Sequence, residues 1–151
     1  MPLAWRWYRF EELGVDGVYD MLALRARVFI LEQGPYLDPD GADRHAWHLL
    51  GRDVTSDALS AYLRVLEPGV KFDDASIGRV VVDAGLRGQG IGHQLVREGL
   101  AQCARLWPGQ PVSISAQAHL QRFYAAHGFQ TSSSPYLDDG IAHVDMRRSP
   151  R

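Results

Sequence analysis

The chain has 151 residues, of which 46% are hydrophobic and 23% charged, a composition typical of globular proteins and outside the range of disordered chains. Its formal net charge of −2 gives no sign of the basic surface that nucleic-acid-binding proteins carry. Its single cysteine, Cys103, excludes an internal disulfide and is typical of a reducing cytoplasm.

The N-terminal segment predicts neither a signal peptide nor a membrane anchor. Charged residues, among them Arg6 and Glu11, interrupt its apolar stretches. The apolar runs of the chain are also far shorter than the roughly 20 residues of a membrane helix. We therefore expect one domain over residues 1–151, located in the cytoplasm and bound to neither nucleic acid nor membrane.

The first part of the chain predicts a strand, a helix and a loop. The aromatic stretch WRWYRF (5–10) is typical of a strand. Apolar residues then recur at helical spacing as far as Leu31, with Asp16 as the N-cap, and we expect this helix to end near Gln33. The proline, glycine and aspartate content of 35–44 predicts a loop.

Three strands are predicted next. HAWHLLG (45–51) and LSAYLRVL (59–66) are expected to form a hairpin through a polar turn. SIGRVVV (76–82) is almost wholly apolar, which is typical of a central strand that is covered on both faces.

The second half alternates helices and strands. It predicts a long amphipathic helix over 91–107, a strand over 111–116, a short helix over 119–128 with Gly128 at C′, and strands over 129–132 and 141–148 separated by a loop. The complete order, β-α-β-β-β-α-β-α-β-β, predicts an α/β fold with a mixed sheet and helices packed on it.

The segment RGQGIG (87–92) lies between a predicted strand and a predicted helix and predicts an anion site. Small residues let several backbone N–H groups converge there, and the start of a helix adds partial positive charge. A P-loop would need Lys and Ser or Thr after the last glycine, and a dinucleotide-binding loop needs G-x-G-x-x-G spacing, so neither fits. The alternative is a flexible turn that binds no ligand.

The same segment fits the Q/R-x-x-G-x-G/A motif of the GNAT N-acetyltransferases, and FYAAHGF (123–129) is similar to the later Y-x-x-x-G-F element of that family. LRARVFILEQ, PYLDPDG, ISAQAHLQRFYAAHGF and PYLDDGIAHVDMRR resemble stretches of the ElaA-like subgroup in the same order, so the resemblance covers nearly the whole chain. Subgroup members often carry a cysteine before the PY dipeptide, where this chain has only Gly34. No such cysteine can therefore act here.

The resemblance implies the fold and the donor site. The fold would be the GNAT acyl-CoA N-acyltransferase fold: a largely antiparallel, twisted sheet of about seven strands, splayed at the cofactor site, with helices on both faces. The co-substrate would be acetyl-CoA, with no metal. By position, the donor would be held by Arg87, Gly88, Gln89, Gly90, Ile91 and Gly92 at its pyrophosphate, by the backbone of Val80, Val81 and Val82 along its pantetheine arm, and by Gln117 and Tyr124.

The resemblance also implies an activity, transfer of an acetyl group to a primary amine in a ternary complex. Tyr124 matches the family tyrosine that gives a proton to the departing thiolate. A tyrosine with an ordinary pKa near ~10 stays protonated at neutral pH and can act as that general acid. The alternative for Tyr124 is a core residue with a satisfied hydroxyl. The alternative for the whole protein is a non-catalytic CoA-binding or regulatory module.

The general base is left open by the sequence. Glu32, at the end of the first helix, is a candidate base or acceptor contact. His48, His119 and His143 belong to the residue type that titrates near neutral pH. Asp138 and Asp139 are candidates for recognising a cationic acceptor, an amine-bearing small molecule or peptide. Each of these residues has the alternative of being a solvated or hydrogen-bonded side chain without a catalytic role.

Three other features are given structural interpretations. The segment DPDGADRHAWH gathers five potential metal ligands, Asp38, Asp40, Asp43, His45 and His48. Their spacing does not match an EF-hand loop, and two histidines three apart on a strand point to opposite faces, so we predict no metal. Cys103 falls on the apolar face of the long helix and is expected to be an inert core thiol. The aromatic residues of the first strand are the feature that would support a homodimer.

Overall fold

The structure, a computed structural model, describes residues 2–34 and 37–150. Its strands are β1 (Leu3–Arg9), β2 (Ala46–Asp53), β3 (Leu59–Leu66), β4 (Ala75–Val82), β5 (Val112–Gln117), β6 (Gln130–Thr131), β7 (Tyr136–Asp138) and β8 (Ile141–Arg148). Its α-helices are α1 (Gly14–Arg25), α2 (Ile91–Leu106) and α3 (Gln121–Ala125). The predicted loop before the last strand thus contains β7, whose three residues are too few to show an alternating pattern.

The strands form one mixed sheet in the order β1-β2-β3-β4-β5-β8-β6, with β7 also paired to β8. The β4–β5 pair is parallel and the other pairs are antiparallel. The predicted β2–β3 hairpin and the central place of β4 are therefore confirmed, as is the largely antiparallel sheet.

Helices cover both faces of the sheet, as predicted. On β2, Leu49 belongs to the core beneath α2, whereas Leu50 belongs to the core beneath α1. Consecutive residues of a strand point to opposite faces, so one apolar strand can serve both cores. Cys103 of α2 is 4% exposed, and burial raises its pKa to about 12, which confirms it as an unreactive core thiol.

The ends of two helices differ from the prediction. Helix α1 begins at Gly14 with Leu13 as its N-cap, so Asp16 lies in the first turn, where its charge favours the positive end of the helix dipole. A π-helical turn over Ala26–Ile30 continues it. The predicted helix over 119–128 is a 3₁₀ turn (Ala118–Leu120) followed by the short α3, and Gly128, with a φ of 89°, lies beyond the C-cap, Ala126. Pro35 and Tyr36 of the predicted loop lie outside the described residues.

The segment 37–43 is held onto the sheet by ion pairs. We call this group the Arg–Asp cluster; its members are Arg25, Arg64, Arg79, Asp38, Asp40 and Asp43. Asp43 Oδ1 accepts hydrogen bonds from Arg25 at 2.8 Å and from Arg64 at 3.0 Å. The Arg25 and Arg64 side chains are 0% and 2% exposed, so each needs these carboxylates to compensate its lost hydration.

No helix within the described ranges is both long and apolar enough to cross a membrane.

The aromatic residues of β1, an edge strand, are half-buried: Trp5 and Trp7 pack against the α2-side core. The feature that would support a homodimer is therefore largely used within the chain, and the homodimer stays a prediction.

Candidate active site

The sheet opens between β4 and β5. These strands are paired only at Ala75 with Val112 and at Ser76 with Ser113, and beyond those positions they run apart. A cavity of about 320 Å³ lies in the opening. Backbone groups at a splayed edge need other partners, so this wall can bind a ligand through main-chain hydrogen bonds.

A bulge in β4 shapes one wall of this cavity. Tyr62 pairs with Val81 and Arg64 pairs with Gly78, which leaves two β4 residues, Arg79 and Val80, opposite one β3 residue. Arg79 has a φ of 53°, a left-handed conformation that costs a non-glycine residue about 1 kcal/mol. Its guanidinium donates to Asp38 at 2.9 Å, so the Arg–Asp cluster compensates the strain and holds the bulge.

The glycine loop leads from β4 to α2, as predicted. Gly88 and Gly90 have φ values of 83° and 78°, which favour glycine, and Gly90 is the N-cap of α2. Gln94 N–H donates to the Gly90 carbonyl at 3.1 Å, so the amides before Gln94 form the free start of the helix. Gly92 has another use: a Cβ there would meet the Phe123 ring at 3.4 Å, in the contact between α2 and α3.

The predicted residues Glu32 and Arg87 contact each other. The Arg87 guanidinium donates two hydrogen bonds to the Glu32 carboxylate, at 2.8 and 3.0 Å. These bonds lower the pKa of Glu32, which makes it a weaker proton acceptor at neutral pH. The pair is exposed and links the segment after α1 to the glycine loop.

Tyr124 lines the cavity from α3 and is 9% exposed. Its ring meets Phe123 and Phe129 edge-on, with centroids 5.0 and 6.0 Å apart. Burial raises the pKa of Tyr124 to about 12, so its hydroxyl carries a proton at neutral pH. Tyr124 is thus both a packed core residue and a wall of the cavity.

The three candidate histidines have different surroundings. His48 is fully buried, and its nitrogens contact the Tyr62 hydroxyl at 2.6 Å and the Asp43 carbonyl at 2.8 Å. Both ring nitrogens therefore have partners inside the fold, and the prediction that His48 is a candidate catalytic base is wrong. His119 is exposed on the 3₁₀ turn before α3. His143 lines the cavity, and its Nδ1 lies 2.8 Å from the Ile141 carbonyl oxygen.

The cavity brings together predicted residues that are distant in the sequence. Its wall includes Val80, Gln117, Tyr124, Asp138, Asp139 and His143. Val81 instead packs beneath α1, so its side chain has a core role. Lys71 and Arg79 also line the cavity and were not predicted. Arg79 could have been found, because an arginine within the apolar strand IGRVVV requires a carboxylate partner.

The same reasoning explains the aspartates of 38–43. Asp38, Asp40 and Asp43 bind arginines, and within residues 2–34 and 37–150 no group of three or more His, Cys, Asp or Glu side chains is arranged to hold a metal ion. Partial burial alone would raise the pKa of Asp40, but its hydrogen bond to Arg64 and the charges of Arg64 and Arg79 lower it. These carboxylates therefore stay ionised as structural anions.

Comparison with known proteins gives a consistent picture. The family model described as Acetyltransferase (GNAT) domain matches residues 64–150. The chain is 41% identical to protein ElaA of Escherichia coli over 149 residues, which cover 97% of this chain and 96% of that protein. The crystal structure of E. coli ElaA matches with a TM-score of 0.90 at 40% identity, covering 97% of this chain and 99% of that one.

Two further solved structures are similar. An acyl-CoA N-acyltransferase from Pseudomonas aeruginosa has a TM-score of 0.92 and 41% identity, covering 97% of this chain and 99% of that one. A GNAT family acetyltransferase from Elizabethkingia anophelis with acetyl-CoA bound has a TM-score of 0.68 at 15% identity, covering 97% of each chain, which shows a common fold.

Proposed function

Because the chain belongs to the GNAT family of acyltransferases, we propose that it transfers the acetyl group of acetyl-CoA to a primary amine by direct transfer in a ternary complex. The observation that carries this proposal is the opening between β4 and β5, which has Tyr124 on its wall and borders the strand that leads to the glycine loop. A donor and an acceptor can meet in such an opening, with a proton donor beside them.

The donor side of the proposal uses mainly backbone groups. The free amides at the start of α2 suit a pyrophosphate, because N–H groups and the positive end of the helix dipole meet there. Arg87 of the same loop would add its charge by exchanging the Glu32 carboxylate for a phosphate. The unpaired edge of Val80–Val82 suits an extended pantetheine arm, and Gln117 lies on the opposite strand, β5. Acetyl-CoA bound here would supply an activated thioester at the Tyr124 end of the cavity.

The acceptor side is proposed to take a cationic amine. Asp138 lines the cavity from the end of β7 and Asp139 from the turn that follows, whereas Asp40, which also lines it, is bound by Arg64 and Arg79. The Asp138 and Asp139 carboxylates attract a positively charged group toward the cavity. Tyr124 then acts as the general acid, because its raised pKa keeps the hydroxyl protonated until the carbon–sulfur bond breaks and the thiolate forms.

The proposal is tested by an acetylation screen. Purified protein is incubated with acetyl-CoA and a panel of polyamines, aminoglycosides, amino acids and peptides, and N-acetylated products are identified by mass spectrometry. An acetylated amine with multiple turnovers is the expected result. Tight binding of CoA without turnover of any amine would favour the non-catalytic CoA-binding module instead.

The donor site is tested separately by Gly90→Val. A β-branched residue is strained at a φ of 78°, and its side chain would occupy the start of α2, so we expect acetyl-CoA affinity to fall about tenfold or more, measured by calorimetry. Gly109→Val is the matched control, because Gly109 has a similar φ of 74° but lies beyond the other end of α2. Equal affinities in the two variants would count against the pyrophosphate assignment.

A further inference from the structure

We propose that His143 is the general base that takes a proton from the acceptor amine. This inference rests on the proposed acetyl transfer. It deepens that proposal by choosing among the bases that the sequence left open, from the surroundings of each side chain.

The position of His143 in β8 directs its ring to the cavity. Ile141 and His143 are two residues apart on one strand, so they share a face, and both line the cavity. Tyr124 lines the same cavity from α3. A base at His143 and an acid at Tyr124 would therefore act on the same cavity.

The hydrogen bond of His143 determines which ring nitrogen is free. Nδ1 lies 2.8 Å from the Ile141 carbonyl oxygen, and a carbonyl oxygen only accepts hydrogen bonds. The neutral ring must therefore carry its proton on Nδ1 and its lone pair on Nε2. This is the arrangement that a base requires.

Neighbouring side chains hold the ring in place. The Tyr136 ring of β7 stacks on it with an interplanar angle of 24°, and the Tyr136 hydroxyl donates to Asp145 Oδ1 at 2.6 Å. Ser115 of β5 also bonds that hydroxyl. Tyr136 is thus a positioning residue: it orders the His143 ring before an acceptor binds.

Charged groups of both signs line the cavity together with His143. Acidic groups line it at Asp40, Asp138 and Asp139, and basic groups at Lys71 and Arg79. Across the sheet, His143 pairs with the neutral Gln117 of β5. Asp40 and Arg79 are bound within the Arg–Asp cluster, so Asp138 and Asp139 are the cavity carboxylates that lie outside it.

The other candidates lack this combination. His48 uses both nitrogens inside the fold, and the Glu32 carboxylate is bound by Arg87. His119 is exposed on the turn before α3.

The proposed step moves two protons from the acceptor nitrogen and one proton from Tyr124. The ammonium group of the acceptor gives one proton to Nε2 of His143, and the freed lone pair forms a bond to the acetyl carbon. The carbon–sulfur bond breaks, and its electron pair stays on sulfur, which takes the Tyr124 proton. The nitrogen loses its second proton, through solvent, to the tyrosinate, and His143 releases its proton to solvent.

The test uses His143→Asn, whose amide N–H can still donate to the Ile141 carbonyl but which has no basic nitrogen. With the aliphatic amine that the wild type acetylates fastest, we expect kcat to fall about 100-fold or more, with acetyl-CoA affinity unchanged within about twofold. We also expect the decline of kcat/KM at acidic pH to change its midpoint. His45→Asn, an exposed histidine on a 3₁₀ turn, is the matched control and should behave like the wild type.

A second acceptor separates a base from a merely structural residue. A hydrazide analogue of the same amine has a terminal nitrogen that is already unprotonated at neutral pH, so the loss caused by His143→Asn should shrink to a few-fold, a small part of the general-base contribution. An equal loss with both acceptors, or wild-type kcat and pH profile in the variant, overturns the proposal. If His143→Asn does not fold, His143→Gln is tested by the same criteria.

The wild-type arm separates this proposal from the proposed function. If the wild type acetylates no amine, the acetyl transfer itself fails, and His143 as its base fails with it. If the wild type is active and the variants fail the acceptor comparison, only the assignment of His143 is overturned.

Discussion

Tyr124 packs in the core and also lines the cavity in which the acetyl transfer is proposed. Its ring is held edge-on by Phe123 and Phe129, while the residue also lines the cavity. Burial raises its pKa to about 12, which preserves the proton that the proposed reaction needs. The sequence left these two roles as alternatives, but the structure shows that the packing is compatible with the proposed chemistry.

Tyr124→Phe tests the proton donor. The variant keeps the ring and its packing but loses the hydroxyl, so we expect kcat to fall by about 100-fold while acetyl-CoA affinity stays within about threefold. Steady-state kinetics and calorimetry measure the two quantities. Tyr19→Phe, at a residue of α1 that is 75% exposed, is the matched control. A full transfer rate in Tyr124→Phe would show that the proton comes from elsewhere.

At the scale of elements, the Arg–Asp cluster connects α1, the segment 37–43 and the β4 bulge. Arg25 reaches Asp38 and Asp43 from α1, and Arg79 reaches Asp38 from the bulge. The segment that carries Asp40 into the cavity wall is thereby held against the strand that is proposed to bind the donor. These ion pairs therefore connect the segment 37–43 to the β4 strand, which also lines the cavity.

Asp43→Asn tests the contribution of this cluster to stability. The change removes one charge shared by two buried guanidinium groups, and breaking a buried pair costs about 3–5 kcal/mol. For a chain of this size we expect the melting temperature to fall by roughly 10 °C, measured by calorimetry. Asp73→Asn, in an exposed loop, is the control and should change little. A loss below about 1 kcal/mol in Asp43→Asn would mean that the cluster relaxes around the missing charge.

At the scale of the whole molecule, stability should depend on pH through two histidines and two aspartates whose pKa values are lowered by folding. Burial lowers the pKa of His48 and His127 from the ordinary 6.5, whereas arginines lower the pKa of Asp40 and Asp43 from 3.8 against the opposing effect of burial. In each case the unfolded chain binds a proton at a higher pH than the folded chain does. Stability is therefore present above the unfolded pKa and is lost as pH falls below it.

We expect the free energy of unfolding to decline below about pH 6.5, as the two histidines begin to protonate in the unfolded chain, and to decline again below about pH 4 for the aspartates. Urea unfolding at a series of pH values measures both declines. His48→Gln should reduce the first decline and leave the second, since the Asp40 and Asp43 carboxylates keep their arginine partners. Stability that rises from pH 7.5 to 5 would contradict the assignment.

Much of the fold was predictable because it depends on local patterns. The two apolar stretches of β2 and β3 around a polar turn, the apolar run of β4 and the 3.6-residue periodicity of α2 are each contained in a short stretch of sequence. Gly88 and Gly90 were equally readable, since a positive φ before a helix start favours glycine at those positions. The helix ends and the three-residue β7 were not, because packing rather than propensity decides such short segments.

The sequence by itself determined the order of the longer elements, the two-faced sheet and a glycine-rich turn at the start of α2. Only the tertiary structure decided which side chains meet. Arg87 contacts Glu32 from 55 residues away, Arg79 contacts Asp38 from 41 residues away, and His143 and Tyr124 line one cavity. The physical reason is that strand splay, burial and ion pairing arise from contacts distant in sequence, and no local periodicity records them.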